Sequence, residues 1–285
     1  MIQNIIDAVV NRSIQKTFPD RDPYRSLSTV TVSSLSAEFG ISGKEIEIAA
    51  LEAGIVPERY ARNMKTLSLQ DQAALLKSKV SIVGLGGLGG GVTEILSRIG
   101  VGTLYLVDGD SFEDHNLNRQ FLSKQALLAF PKARAAFERV KEINTSISVF
   151  PRQEFLTEEN SAELLGHPDV AVDCLDNLPT RRVLEKFAKG MKIPLVSAAV
   201  AGSSGHLTVI FPEDPGLKMI YGDTTDPRMR GAEASLGALP HAVTLLSSLE
   251  ASEVLKIILK RGEPTRNRLL VVDLFDNSFE MLRLL

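Results

Sequence analysis

The chain has 285 residues and 44% hydrophobic content, enough for one large domain or two small ones. Its formal net charge of −3 excludes a global attraction to nucleic acid or to an anionic membrane. The single cysteine, Cys174, cannot form an internal disulfide or a multi-cysteine zinc site. No apolar run reaches the roughly 18 residues that a membrane span requires. These features predict a soluble, cytoplasmic protein.

Residues 1–55 predict a small helical N-terminal extension. Apolar spacing at the start indicates an amphipathic helix, and two prolines in residues 18–28 indicate a linker. Residues 33–54 predict two short helices, the second marked by a capping box at Ser42 and Glu45. The pair could form a helix-turn-helix, but five Lys and Arg against seven Asp and Glu argue against nucleic-acid binding by these residues. Packing or contact with another protein is favoured.

A glycine turn between two apolar runs is the strongest local pattern. Residues 80–83 predict a strand, an apolar-periodic segment predicts the following helix, and residues 104–107 predict a second strand that ends in Asp108 and Asp110. This order is a βαβ unit with a phosphate site at its first turn and a ribose-binding acid after its second strand. The glycines alone would also fit a tight strand-to-helix connection. The turn contains Gly84, Gly86, Gly87 and Gly89.

Strands and helices continue to alternate after this unit. The predicted fold over residues 56–285 is α/β: a Rossmann-like, mostly parallel sheet with helices on both faces and C-terminal antiparallel strands. Further strands are predicted at 147–150, 170–173, 194–200 and 206–211. Helices are predicted at 69–77, 130–143, 157–165, 180–189 and 238–260. Glu250, Glu253 and Lys256 mark the last of these helices as a surface helix. A hairpin follows at 269–284.

Charged side chains follow several strands at one edge of the predicted sheet. Asp176 and Asn177 come after the strand 170–173, and Arg119 and Lys132 follow the second strand of the βαβ unit. Cations that neutralise phosphates, beside a carboxylate that holds Mg²⁺, suit phosphoryl or nucleotidyl transfer. Arg119 and Lys132 could equally be solvated surface charges, and Asp176 or Asn177 a helix cap.

Four motifs in order carry a family resemblance: GLGGLGGG, LVDGDSFEDHNLNRQFL, FPKA and DCLDNLPTR. From about Arg59 to Leu285 the chain resembles the ThiF/MoeB/HesA adenylyltransferases, relatives of the ubiquitin-activating enzymes. The resemblance implies that MgATP reacts with the C-terminal carboxylate of a small ubiquitin-like or sulfur-carrier protein ending in Gly-Gly. The products are an acyl adenylate and pyrophosphate.

The resemblance also implies roles for individual residues. Asp176 matches the Mg²⁺-binding aspartate, and Arg62, in Arg59-Tyr60-Ala61-Arg62, matches an arginine that reaches the phosphates of a neighbouring subunit in a homodimer. Asn63 replaces the family's usual glutamine. The implied catalytic residues are Arg62, Arg119, Lys132 and Asp176. The implied nucleotide-binding residues are Gly84, Gly86, Gly87, Gly89, Asp108, Asp110, Asn116, Arg119, Gln120, Lys132, Asp176 and Asn177.

Two family features are missing from this chain. Many members bind zinc through two CxxC pairs, but Lys218–Tyr221 occupies the first position and no second pair exists, so no zinc is expected. Many also carry a reactive cysteine near the long stretch 212–235, and Gly231, Ala232 and Glu233 stand there instead. Cys174 is expected to pack in the core. The chemistry should therefore stop at the adenylate, without a thioester.

Other functions remain open at this stage. The enzyme could activate a small-molecule or tRNA-borne carboxylate, as threonylcarbamoyladenosine dehydratases do, or the chain could be a non-catalytic subunit of a heterodimer. The glycine motif alone would also fit an NAD-dependent dehydrogenase. The stretch 212–235 is expected to cover the carrier's tail. The carrier, the pathway, the sulfur donor and the role of residues 1–55 are not determined by the sequence.

Overall fold

The computed structural model describes residues 2–17, 23–223 and 233–284. Parts of the predicted linker and of the predicted long loop, residues 18–22 and 224–232, lie outside the described residues. The α-helices are α1 (Ile2–Arg12), α2 (Thr29–Phe39), α3 (Gly43–Glu52), α4 (Leu69–Lys77), α5 (Gly87–Ile99), α6 (Lys132–Ile143), α7 (Ser161–Leu165), α8 (Leu178–Met191), α9 (Lys218–Tyr221), α10 (Glu233–Leu236) and α11 (Pro240–Leu259).

The strands divide between a small sheet and a large one. The small sheet contains β1 (Ile14–Lys16), β2 (Tyr24–Leu27) and β3 (Val56–Pro57). The large sheet contains β4 (Lys79–Val83), β5 (Thr103–Val107), β6 (Ser148–Arg152), β7 (Val170–Asp173), β8 (Leu195–Ala201), β9 (Ser204–Ile210), β10 (Arg268–Asp273) and β11 (Ser278–Arg283).

The large sheet has the order β11-β10-β9-β8-β7-β4-β5-β6. Strands β4 to β8 pair in parallel, and β8 to β11 pair with antiparallel neighbours. The chain moves outward from β4 through β5 to β6, then returns to the other side of β4 for β7 and β8. This reversal makes the gap between β4 and β7 a topological switch point, where open α/β sheets bind ligands.

Helices cover both faces of the large sheet, which confirms the predicted α/β class. One face packs against α5, α6 and α11 through an apolar cluster that includes Ile82, Leu96 and Leu246. The other face packs against α7 and α8 through Leu165 and Leu184. Parallel strands covered on both faces are apolar along most of their length, and β7 is buried at every position. No helix in the described ranges combines the length and apolarity needed to cross a membrane.

The N-terminal residues form a core of their own. Helices α1, α2 and α3 bury Val9, Leu35 and Ile46 together with Leu27 of β2. Ser42 and Glu45 form the predicted capping box at α3. Strand β3 pairs in parallel with β2 and leads into the rest of the chain. The division into domains 1–55 and 56–285 stays a prediction.

Two predictions of secondary structure were wrong. Residues 24–27 form β2 rather than a linker, because Leu27 is fully buried and the strand has partners on both sides. The helix predicted from residue 157 begins only at Ser161, since the Asn160 side chain accepts a hydrogen bond from the Thr157 N–H at 2.8 Å and forms a turn.

Helix α11 is not the surface helix that its charges predicted. Glu250 is 0% exposed and Glu253 3% exposed. The Glu253 carboxylate accepts hydrogen bonds from Lys256 at 2.7 Å, from the Thr265 hydroxyl at 2.8 Å and from the Thr265 N–H at 3.0 Å. Burial, followed by the charge of Asp173, raises the pKa of Glu250 well above its ordinary value. A carboxyl group that is hydrogen-bonded or neutral can lie inside a core.

Candidate active site

A cavity of about 720 Å³ lies at the carboxyl ends of β4, β5, β6 and β7, beside the N-terminus of α5. Most of the predicted site residues meet there. Of the described residues predicted for the site, Gly89, Asn116 and Arg62 lie outside the lining. The predicted residues that line the cavity are Gly84, Gly86, Gly87, Asp108, Asp110, Arg119, Gln120, Lys132, Asp176 and Asn177.

The glycine turn brings backbone close to both the cavity and the neighbouring strand. Gly84 has φ of 86°, and a Cβ there would lie 2.5 Å from the Cys174 carbonyl oxygen. A Cβ at Gly89 would lie 1.8 Å from the Gly84 carbonyl oxygen, so this glycine permits helix-to-strand packing rather than ligand contact. Gly86 and Gly87 present the first turn of α5 to the cavity, and helix N-termini bind phosphate through their N–H groups.

Asp108 lies at the end of β5 with its carboxylate fixed by backbone donors. The Leu85 N–H donates to one oxygen at 2.6 Å, and the Asp110 N–H donates to the other at 2.8 Å. Burial raises the pKa of Asp108, although Lys132 and the two backbone donors act in the opposite direction. Each carboxylate oxygen retains a further acceptor position, which suits a pair of ribose hydroxyls.

Lys132, like Arg181, is a buried cation that lines the cavity. It is 7% exposed, stands at the first position of α6, and forms an ion pair with Asp110 at 3.2 Å. The alternative that Lys132 is a solvated surface charge is therefore wrong. A lysine held in this way carries a positive charge at a fixed point in the cavity, which suits a phosphate group.

The loop between β5 and α6 supplies three polar residues with different positions. Arg119 lines the cavity and donates to the His115 carbonyl at 2.9 Å. Gln120 also lines it, and its buried Oε1 lacks a hydrogen-bond partner within the described part of the chain. A bound donor would satisfy this oxygen. Asn116 is buried, and its Oδ1 accepts from the Glu113 N–H at 3.0 Å, so it shapes the loop.

Asp176 and Asn177 follow β7 on the opposite side of the switch point. Asp176 is exposed to the cavity, whereas the Asn177 side chain caps α8 by accepting from the Thr180 N–H at 2.9 Å. Across the described ranges, no three His, Cys, Asp or Glu side chains converge as a metal cage. One accessible carboxylate beside a phosphate site suits Mg²⁺, which commonly takes one or two carboxylates and completes its shell with water and phosphate oxygens.

A buried arginine supports the loop that carries Asp176. Arg181 donates to Asp173 at 2.9 Å, to the Ala198 carbonyl at 2.9 Å and to the Leu175 carbonyl. Asp173 also accepts from the Ser197 hydroxyl at 2.7 Å. These bonds connect β7, β8 and the first turn of α8, so the backbone on either side of Asp176 is held in place.

Several lining residues were missed by the sequence analysis. Glu154 and Phe155 follow β6, a further strand whose carboxyl end borders the cavity, whereas the sequence predicted contributions only from the ends of β4, β5 and β7. Their position after a strand was the available signal. The end of α10 and the start of α11 form another wall of the cavity. The pattern of polar and apolar residues there did not indicate a binding site. The residues of this wall are Leu236, Gly237, Ala238, Leu239 and Val243.

Cys174 faces a carboxyl group rather than a base. Its Sγ lies 3.7 and 3.8 Å from the two carboxyl oxygens of Glu250. Burial, followed by the electrostatic effect of the neighbouring Glu250 and Asp173 carboxyl groups, raises the pKa of Cys174 well above its ordinary value. Only the thiolate is a strong nucleophile, so the thiol that this environment favours is a poor one.

Replacing Cys174 with serine is therefore expected to leave adenylate formation within about threefold of wild type, because the thiol performs no chemistry. Pyrophosphate exchange measures this, with thermal melting as the control for folding. A complete loss of exchange in a variant with an unchanged melting temperature would contradict the structural role of this thiol.

Arg62 is exposed and stands between two short 3₁₀ helices, Glu58–Tyr60 and Asn63–Lys65. Unlike Arg119 and Lys132, it does not contribute to the described cavity lining of its own chain. Its position is compatible with action on another subunit.

The fold belongs to the class of open, mostly parallel α/β sheets with a ligand cavity at the switch point. The chain belongs to the ThiF family, which matches residues 60–284. This confirms the family resemblance based on the glycine turn and on the NLNRQ and DCLDN motifs.

Two relatives are similar over most of their length. The chain is 33% identical over 225 residues to the SAMP-activating enzyme E1 of Haloferax volcanii, covering 78% of this chain and 83% of that one. It is 34% identical over 230 residues to the molybdopterin-synthase adenylyltransferase of Haemophilus influenzae, covering 79% and 94%. A crystal structure of E. coli MccB with MccA-N7isoASN has a TM-score of 0.69 at 18% identity, covering 99% of this chain and 87% of that one, which shows a shared fold.

Proposed function

We propose that the chain is an ATP-dependent adenylyltransferase that activates the C-terminal carboxylate of a small ubiquitin-like or sulfur-carrier protein. The observation that carries the proposal is the meeting of Lys132, Asp108 and Asp176 around the N-terminus of α5 in one cavity. Membership of the ThiF family and similarity to named adenylyltransferases support it. The proposal includes action in the cytoplasm, where MgATP is available.

The residues around the cavity have distinct roles in this reaction. The first turn of α5, with Gly86 and Gly87, faces the phosphates of ATP, and Asp108 accepts hydrogen bonds from the ribose. Lys132 and Arg119 donate to phosphate oxygens as negative charge grows on them. Mg²⁺ bound at Asp176 would neutralise charge on the phosphates. Asn116 contributes indirectly by shaping the loop that carries Arg119.

The reaction forms one bond and breaks another. A carboxylate oxygen of the carrier attacks the α-phosphorus, and the bond from that phosphorus to the bridging oxygen of the β-phosphate breaks. Pyrophosphate leaves with the electron pair, and the carrier ends in an acyl adenylate. The wall formed by Leu236, Gly237 and Leu239 lies beside the cavity and borders the route of the carrier's tail, for which we propose a Gly-Gly end.

The functional unit in this proposal is a homodimer without zinc. Arg62 acts on the phosphates of the partner's site; the family resemblance of Arg59-Tyr60-Ala61-Arg62 supports this role, and Arg62 stands away from the described lining of its own cavity. The missing cysteine pairs are the basis for expecting no zinc. Cys174 forms no thioester, since its environment favours the protonated thiol.

The test is ATP–pyrophosphate exchange with purified candidate carriers. Exchange is expected only in the presence of a carrier with a free C-terminal Gly-Gly, and the same carrier lacking its last glycine serves as the matched control. Mass spectrometry should show the carrier with one added adenylyl group. Exchange that proceeds equally well without any carrier would reject this substrate and favour a small-molecule carboxylate.

A further inference from the structure

The residues around Arg62 depend on neighbours for their position. We call residues 58–65 the arginine segment; it consists of the two short 3₁₀ helices that flank Arg62. The backbone hydrogen bonds of this segment are short-range. The Ala61 N–H donates to the Glu58 carbonyl at 3.1 Å, and the Thr66 N–H donates to the Asn63 carbonyl at 2.9 Å. Short 3₁₀ turns have weak hydrogen-bond geometry, so tertiary contacts decide where this segment lies.

The first group of contacts comes from the small sheet. We call the described residues between 2 and 57 the N-terminal unit. Glu58 accepts from Lys16 of β1 at 2.9 Å, from the Tyr24 hydroxyl of β2 at 3.4 Å and from the Ser26 hydroxyl of β2. Three side chains of the N-terminal unit therefore hold the first residue of the arginine segment.

The second group centres on a buried carboxylate in α3. Glu47 is 0% exposed, and one of its oxygens lies 3.1 Å from Arg59 Nε while the other accepts from the Tyr60 hydroxyl at 3.2 Å. The Ser146 hydroxyl donates to Glu47 at 2.9 Å. These partners fix the position of the buried Glu47 carboxylate, because loss of any one of them leaves a buried polar group without a hydrogen bond.

Arg59 and Tyr60 of the arginine segment also contact the residues that follow α5 and α6. The Tyr60 hydroxyl accepts from Asn144, which follows α6, at 2.8 Å, and Arg59 donates to the side chain of Asn144. The Tyr60 ring packs over Gly100, where a Cβ would lie 2.7 Å from the ring atoms. The arginine segment is thus held between the N-terminal unit and the helices that flank the nucleotide site.

We propose that the N-terminal unit positions Arg62 for delivery to the nucleotide site of a partner subunit, with Glu47 and Glu58 as the positioning residues. The inference rests on the proposed function, in which Arg62 acts in trans. It assigns a role to the N-terminal residues, for which the sequence offers no motif. Glu47 and Glu58 act through the backbone of the arginine segment and do not touch the substrate.

The first test compares Glu47→Gln with Glu52→Gln, a matched substitution on the same helix at an exposed pair with Lys77. Glu47→Gln is expected to lower kcat for pyrophosphate exchange by about 10- to 100-fold with little change in KM for ATP, since small misplacements of a reacting group have effects of this size. Glu58→Gln, at the less buried contact, is expected to act in the same direction. Adding Glu47→Gln to Arg62→Ala should cause little further loss. Wild-type kcat in Glu47→Gln would overturn the inference.

Mixed dimers separate action on the partner from action within one chain. A Glu47→Gln subunit paired with an Asp176→Ala subunit is expected to recover activity at one site, because the Asp176→Ala subunit still presents a correctly placed Arg62. No recovery would mean that Glu47 serves its own cavity and would overturn the inference.

Hydrogen exchange provides a readout that needs no substrate. Amides of residues 58–66 are expected to exchange faster in Glu47→Gln than in Glu52→Gln or wild type, and equal rates would overturn the inference. A wild-type enzyme that is inactive with every Gly-Gly carrier would instead refute the proposed function. The hydrogen-exchange rates would still decide whether the N-terminal unit holds the arginine segment in place.

Discussion

Replacing Asp176 with asparagine is expected to reduce pyrophosphate exchange on the order of 10³-fold, because charge stabilisation by a catalytic metal ion contributes several kcal/mol. The substitution retains the shape of the side chain and removes the charge that would hold Mg²⁺. Asp176 is exposed, so the melting temperature should stay within the range of the wild type. The measurement is exchange as a function of Mg²⁺ concentration.

Asp276→Asn is the matched control, since Asp276 lies in the turn between β10 and β11 and not in the cavity lining. The control should retain the Mg²⁺ dependence of the wild type. A result in which Asp176→Asn has unchanged exchange at every Mg²⁺ concentration would remove Asp176 from the site. Rescue at high Mg²⁺ would support weakened metal binding as the cause.

Lys132→Met is expected to lower kcat/KM for ATP by about 10²- to 10³-fold, the typical effect of removing one donor from a developing negative charge. Methionine fills a similar volume, and Asp110, the partner in the ion pair, has a side chain that is 55% exposed and can be solvated. The measurement is steady-state exchange at varied ATP.

Arg134→Met on the same helix is the control, because Arg134 forms an exposed pair with Glu138 one turn away. It should retain wild-type kinetics, as exposed ion pairs contribute little. Equal kinetics for Lys132→Met and wild type would show that the buried charge has no part in catalysis.

Local patterns in the sequence predicted the large sheet well because its strands are short apolar runs between clear breaks. The glycine turn and the acids at residues 108 and 176 mark strand ends, and parallel strand ends meet at one edge. The order of strands and helices along the chain therefore predicted the position of the site at this edge of the sheet. Glu154 and Phe155 were missed because one acid and one aromatic residue form no motif, so only their position after β6 indicated the cavity.

Two of the errors arose where residues outside the element decide the outcome. Glu250 and Glu253 predicted a surface helix, but Cys174, which is 76 residues from Glu250, and Thr265, which lies beyond the end of the helix, contact the two carboxyl groups inside the core. Strand β2 was not predicted because its pairing with β3 joins residues about 30 positions apart in the sequence. Periodicity reports which face of an element is apolar, whereas such partners exist only after folding.

The central position of β4 also governs how this enzyme folds. Its two neighbours, β5 and β7, come from separate halves of the chain, and Val80 lies opposite both Leu104 and Val170. Early local folding can build the glycine turn but not the facing wall at Asp176, which requires the later half to dock. Nucleotide affinity is consequently a property of the completed sheet. In the proposed function, bound ATP would stabilise both halves together, because its site draws residues from each.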